Sequence, residues 1–205
     1  MIKAILFDFG GVIAAEGFYE GVRAIGSMQR LDPNAFFLQV EKLIGETGYL
    51  TGTASEDTFW NAVRSATGIS LNNEHMREEI IKRFVIRPEM IAAVDALKSQ
   101  GMLVVLLSDQ TNWLDEINED TQIFRHFDAV FNSYHIHKSK RDPSLFREIC
   151  AILNVMSHET VLIDDNPGHI QRARDEGLEV IQFTTIQDFQ HRMKEIDFAV
   201  TVREN

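Results

Sequence analysis

Short apolar runs alternate with segments of helical periodicity along most of the chain, a pattern that predicts a parallel α/β sheet. Ala4–Phe7 reads as a first buried strand, Met102–Leu107 as a second and Ala129–Phe131 as a shorter third. Thr160–Ile163 and Val180–Phe183 read as the fourth and fifth. Proline opens three predicted helices between them, Pro88–Gln100, Pro143–Leu153 and Pro167–Glu176, since its fixed φ and missing N–H are tolerated in a first turn. From Glu16 to Arg87 the alternation stops, with helical segments and no strand-like run. Pro33–Ile44 follows a predicted cap at Asp32, and Glu56–Thr67 follows one at Ser55 with Phe59, Ala62, Val63 and Ala66 at helix spacing. A third segment runs from about Asn73 to Phe84. The predicted architecture is an α/β fold: a parallel-sheet, Rossmann-like core with helices on both faces, built from residues 1–15 and 86–205. An α-helical cap, residues 16–85, is inserted into it. No flexible linker composition flanks the insertion, so it is expected to pack against the core.

Composition narrows the class. The 205 residues carry 20 Lys+Arg against 31 Asp+Glu, a formal charge of −11. That balance argues against nucleic acid or an anionic membrane surface as a partner. It leaves open a small anion held by a local cation. No segment is long and apolar enough to span a bilayer, and Ala4–Phe7 is cut short by Asp8, unlike a signal peptide. Cys150 is the one cysteine; it excludes an intrachain disulfide, fits a reducing cytoplasm and reads as a small buried hydrophobe. Oligomeric state leaves no trace in the sequence.

Chemistry is expected where parallel strands end, because open α/β sheets bind ligands beyond their carboxyl edges. The first strand ends in Asp8 before Phe9-Gly10-Gly11, the second in Ser108-Asp109, and the fourth in Asp164-Asp165-Asn166. Each has a structural reading on its own. Asp165 or Asn166 can cap the following helix, Gly10-Gly11 can be a tight turn, and Ser108 can cap a helical segment. Together they bring carboxylates to one rim, at a like-charge cost of several kcal/mol that a hard divalent cation such as Mg²⁺ offsets. His135 and His137 have no evident third ligand and read as loop residues, and His169 as an exposed or packed histidine. Phe36, Phe37, Tyr49, Phe59 and Trp60 read as cap core, with Trp113 as packing.

Four motifs then stand in order: FDFGGVI at Phe7–Ile13, LLSD at Leu106–Asp109, KRDP at Lys140–Pro143 and LIDDN at Leu162–Asn166. In these the chain resembles the haloacid dehalogenase-like hydrolase superfamily, whose characterised members are mostly Mg²⁺-dependent phosphatases. Ile86–Ser108 is similar to the subgroup containing sugar-phosphate phosphatases and the phosphatase domain of soluble epoxide hydrolase. The likeness covers about Met1–Ala15 and Ile86–Phe183. The insertion resembles the family's cap in position, in length and in Ser55–Trp60.

The resemblance implies a phosphatase acting on a small phosphorylated metabolite, sugar phosphates first, through an aspartyl-phosphate on Asp8. It implies Asp8, Ser108 and Lys140 as catalytic, and Gly10, Gly11, Ser108, Asp109 and Lys140 as substrate-binding. It implies Mg²⁺ at Asp8, the Gly10 carbonyl and Asp165, with Asp164 acting through water or by orienting Lys140. Two positions depart from the family pattern. Gly10 stands where a second aspartate usually protonates the leaving alcohol, a role the cap residue Glu16 is a candidate to fill. Arg141 stands where proline is frequent. The missing acid keeps two alternatives in view: a metal-independent 2-haloacid dehalogenase, or a catalytically weak member that binds phosphate or a partner protein.

Overall fold

The computed structural model of the chain describes residues 1–196; residues 197–205 of the predicted core lie outside the described residues. In chain order the elements are β1 (Ala4–Phe7), α1 (Gly17–Met28), α2 (Pro33–Glu46), α3 (Glu56–Thr67), α4 (Asn73–Ile81), α5 (Pro88–Ser99), β2 (Leu103–Ser108), α6 (Trp113–Thr121), β3 (Ala129–Asn132), the single turn α7 (Ser133–Ile136), α8 (Ser144–Ile152), β4 (Thr160–Asp164), α9 (Pro167–Asp175), β5 (Glu179–Gln182) and α10 (Ile186–Glu195). The five strands form one parallel sheet in the order β3-β2-β1-β4-β5.

Alternate residues along each strand serve opposite faces of the sheet. Ile5, Phe7, Val104, Leu106, Val161 and Ile163 join the cluster that includes Met90, Ala93, Val94 and Leu97 of α5 and Phe189 and Met193 of α10. Leu6, Val105, Leu107 and Leu162 join Leu145, Phe146, Ile149 and Cys150 of α8 and Ala173 of α9. Both faces are covered, which explains why the central strands β1, β2 and β4 are nearly continuous apolar runs. Cys150 is buried there as expected. The strand order reverses about β1, whose Phe7 lies opposite Leu106 on one side and Ile163 on the other. Asp8 therefore leaves the sheet at the switch point, between the ends of β2 and β4.

Between β1 and α5 the chain adds no strand to the sheet. An isolated bridge pairs Ala14 with Ile86, so the chain leaves and re-enters the core at one place. The predicted caps form: Asp32 accepts from Ala35 N–H at 2.7 Å, Ser55 from Thr58 N–H at 3.2 Å and Asn166 from Gly168 N–H at 2.8 Å. Tyr49, Phe59, Trp60 and Trp113 are fully buried together, with Trp60 and Trp113 stacked at 6.0 Å.

Several features differ from the sequence reading, α6 and α7 among them. α4 stops at Ile81 rather than near Phe84, because Phe84 must turn back to pack on Phe9, with ring centroids 5.4 Å apart. α1 has no strong sequence signal, since three glycines lower its helix propensity and no side chain caps its start. Close packing requires one of them: a Cβ on Gly21 would lie 2.6 Å from the Ile80 Cα of α4. α10, capped by Thr185, adds a helix beyond the last predicted strand. No helix among the described residues is long and apolar enough to cross a membrane.

Candidate active site

Asp8, Ser108, Asp164 and Lys140 converge at the carboxyl edge of the sheet. Strand ends deliver the first three, and the loop before α8 delivers the lysine. Lys140 has no exposed surface; its Nζ lies 2.9 Å from Asp8 Oδ1 and donates to Asp164 Oδ2 at 2.6 Å. An unpaired ammonium would not remain charged in such a place. Burial alone would lower its pKa, but Asp164, Asp8 and Asp109 overcome that and hold it above the usual lysine range. Although Lys140 stands in the basic run Lys138–Arg141, it does not face solvent.

The carboxylates share that cation unequally. Asp8 is pushed well above the ordinary aspartate value by burial, with Asp164 and Asp165 adding repulsion and Lys140 opposing. Burial also acts to raise Asp164, but Lys140 and His169 prevail and hold it below the ordinary range. Asp8 Oδ1 further accepts from Phe9 N–H at 2.7 Å, while Asp164 Oδ1 accepts from Asn166 N–H at 2.9 Å. His169, buried and 3.2 Å from both Asp164 oxygens through Nδ1, is thus a packed histidine at the rim. Ser108 Oγ is buried with no hydrogen-bond partner among the described residues. A hydroxyl left unpaired costs free energy unless a ligand engages it.

Asp109 accepts from Lys140 N–H through both oxygens, at 2.9 and 3.1 Å. It anchors the loop that presents the lysine, while also lining the cavity. Gly11 has φ +78°, and a Cβ there would lie 2.2 Å from Asp165 Oδ2; both the turn and the close approach require glycine. At Gly10 a Cβ would lie 2.9 Å from Glu16 Oε2. The Glu16 carboxylate therefore occupies the space toward which a side chain at position 10 would project. Burial, reinforced by Asp165, raises its pKa to about 7.

Among the described residues, Asp8, Asp164 and His169 offer ligand atoms within 4.8 Å of one another. Asp164 and His169 are already engaged with each other, and Asp164 also with Lys140. The alternative set of Asp8, Asp165 and the Gly10 carbonyl is made of hard oxygen donors, which suit Mg²⁺. Asp165 too is raised, by burial and by Asp164. Crowded, reluctantly ionised carboxylates fit a cation, so these residues are compatible with the metal.

His135 and His137 do not join the site. His135 Nε2 pairs with Asp115 at 2.8 Å, and His137 Nδ1 meets the Thr51 carbonyl at 2.8 Å. Phe37 packs against the core as expected and, half-buried, also lines the cavity with Phe18 and Tyr19. Arg87 was missed, because an arginine before a helix-opening proline carries no signal. Its Nη1 donates to the carbonyls of Gly11, Val12 and Ala14 at 2.5, 2.7 and 3.0 Å, which holds the turn after Asp8. Arg87→Ala should destabilise the protein by about 1–3 kcal/mol, the usual cost of stranding buried acceptors. Urea denaturation measures this, and an unchanged midpoint would contradict it.

Comparison with known proteins follows the same lines. The family model for haloacid dehalogenase-like hydrolases matches residues 2–177. Bifunctional epoxide hydrolase 2 of Rattus norvegicus is 26% identical over 144 residues, which is 64% of this chain but 25% of the rat protein. The match therefore spans about a quarter of that relative's length. Enolase-phosphatase E1 of Aquifex aeolicus is 24% identical over 200 residues, 89% of this chain and 90% of that protein. A HAD-family enzyme of Bacteroides thetaiotaomicron, solved in complex with magnesium and inorganic phosphate, shares the fold at a TM-score of 0.73 and 19% identity. That alignment covers 94% of this chain and 99% of the other.

Proposed function

The chain belongs to the haloacid dehalogenase-like hydrolases, and from that premise we propose that it is a Mg²⁺-dependent phosphomonoesterase acting on a small phosphorylated metabolite. The observation that carries this reading is Lys140, buried between Asp8 and Asp164. A lysine in that position screens a carboxylate nucleophile from an incoming anion. The partnerless Ser108 hydroxyl supports the reading as a donor for a phosphoryl oxygen, as do the phosphatase relative and the magnesium- and phosphate-bound neighbour.

Lys140 and Phe9 N–H hold the Asp8 carboxylate in place through Oδ1, and an oxygen of that carboxylate attacks phosphorus in line. The new bond is Asp8 O–P, and the bond that breaks joins phosphorus to the ester oxygen. Water then attacks phosphorus, releasing phosphate and restoring the carboxylate. Asp8, Asp165 and the Gly10 carbonyl would hold Mg²⁺, which would supply the charge neutralisation that lets two anions meet. Asp164 acts on Lys140 as a positioning residue, and Asp109 fixes the lysine's backbone. Residues 16–85 act as a cap that excludes water and reads the alcohol part of the substrate.

Glu16 is the proposed proton donor to the leaving alkoxide, in the place left open at Gly10. Glu16→Gln should lower kcat for an alkyl phosphate by about 100-fold or more. It should affect p-nitrophenyl phosphate far less, because nitrophenolate leaves without a proton. Equal losses on both esters, or none on the alkyl ester, would end this role. The overall function is tested by phosphate release from a metabolite-phosphate panel, expected with Mg²⁺ and lost with chelator. Metal-free halide release from 2-chloropropionate, with every phosphate ester refused, would point to a dehalogenase instead.

A further inference from the structure

Beyond the acidic floor, the same cavity, about 410 Å³ in volume, has an apolar wall and a cationic edge. Phe18 and Tyr19 of α1 and Phe37 of α2 make the wall, with the Tyr19 and Phe37 rings edge to face at 4.8 Å. Arg172 of α9 and Arg141 of the loop before α8 make the edge. Arg172 is half-buried, and its Nε donates to the Lys140 carbonyl at 2.8 Å, which fixes the plane of the guanidinium. Its two terminal nitrogens have no hydrogen-bond or ion-pair partner among the described residues. They lie beside Gly168, each 3.4 Å from where a Cβ on that residue would stand. Arg141 reaches across the mouth to α2, where Glu41 lies 3.8 Å away and both side chains are exposed.

Resting on the phosphomonoesterase reading, we propose that the substrate carries a second oxyanion, a carboxylate or another phosphoryl group, bound by Arg172 with help from Arg141. Lys140 already provides the cation beside Asp8. Arg172 hangs from the carbonyl of that same residue, so its fork serves a different part of the substrate. A pre-oriented guanidinium with two open donors matches an oxyanion in bidentate geometry. An uncharged alcohol would leave those donors unmatched. The apolar wall receives the portion between the two anionic ends. Arg141, at the position where the sequence departs from the family's frequent proline, thereby acquires a role in specificity.

The test compares kcat/KM, with Mg²⁺, for phenyl phosphate, 4-carbamoylphenyl phosphate, 4-carboxyphenyl phosphate and 1,4-phenylene bisphosphate. The carboxy ester or the bisphosphate should be preferred over the neutral carbamoyl ester by about 10- to 100-fold, mainly through KM, as expected of charge-assisted hydrogen bonds. Whichever is preferred identifies the second oxyanion. Arg172→Gln should bring the ratio close to one. Arg141→Gln, a change at an exposed side chain, should lower it in part and keeps the proposal testable if Arg172→Gln does not fold. Equal use of charged and neutral esters would overturn the second-anion site and leave the phosphatase reading standing. Refusal of all four esters would overturn the phosphatase reading and this proposal with it.

Discussion

Asp8→Asn should lower phosphatase turnover by at least about 10⁴-fold, the scale on which loss of a covalent nucleophile acts. The amide cannot attack phosphorus, yet it nearly matches the carboxylate in shape. Asp8 is buried, Asp164 and Asp165 repel its charge, and Lys140 alone among the near groups attracts it strongly. Removing that charge relieves two unfavourable effects and loses one favourable one. The substitution should therefore leave the unfolding temperature little changed while it removes activity. Wild-type turnover of p-nitrophenyl phosphate by the Asp8→Asn variant would exclude Asp8 as the nucleophile. A large fall in stability would show that Asp8 chiefly anchors the lysine.

Lys140→Ala should do the opposite kind of damage, to fold and activity together. It strips the cation from Asp8 and Asp164, two buried carboxylates at the ends of adjacent strands. Breaking a buried pair from one side typically costs about 3–5 kcal/mol, because the remaining charge is left without a partner. Urea denaturation should register a loss of that order at neutral pH. Activity should fall with it, since the nucleophile then carries unscreened charge toward an anionic substrate. Lys140→Arg should fail to rescue activity, because the planar fork is larger than an ammonium and Lys140 is fully buried, with no room around it. Full stability in the alanine variant would mean that the lysine is not the cation that binds this cluster together.

The core was legible because its signals are local and redundant. Each central strand is a short apolar run, and each predicted helix start holds a proline or an Asp, Ser or Asn cap. The residues that end β1, β2 and β4 could be placed on one rim from parallel topology alone. What escaped depends on long-range contact. Arg87 binds carbonyls more than seventy positions away, and Arg172 binds the Lys140 carbonyl across two elements; neither residue type announces such a partner. Phe37 fits a helix core by spacing, yet its position against the cavity is set by how α2 meets α1. Glu16 could be suspected from the gap at Gly10, but only the fold brings its carboxylate to that gap. α1 was hidden because glycines that weaken a helix in isolation allow it to approach α4.

The central claim is that Asp8 receives the phosphoryl group. The most direct measurement is acid quenching during turnover of p-nitrophenyl phosphate with Mg²⁺, followed by peptide mass mapping. One phosphoryl adduct is expected on the peptide containing Asp8, absent with chelator and absent from Asp8→Asn. Turnover without that adduct, together with full activity in Asp8→Asn, would contradict the claim.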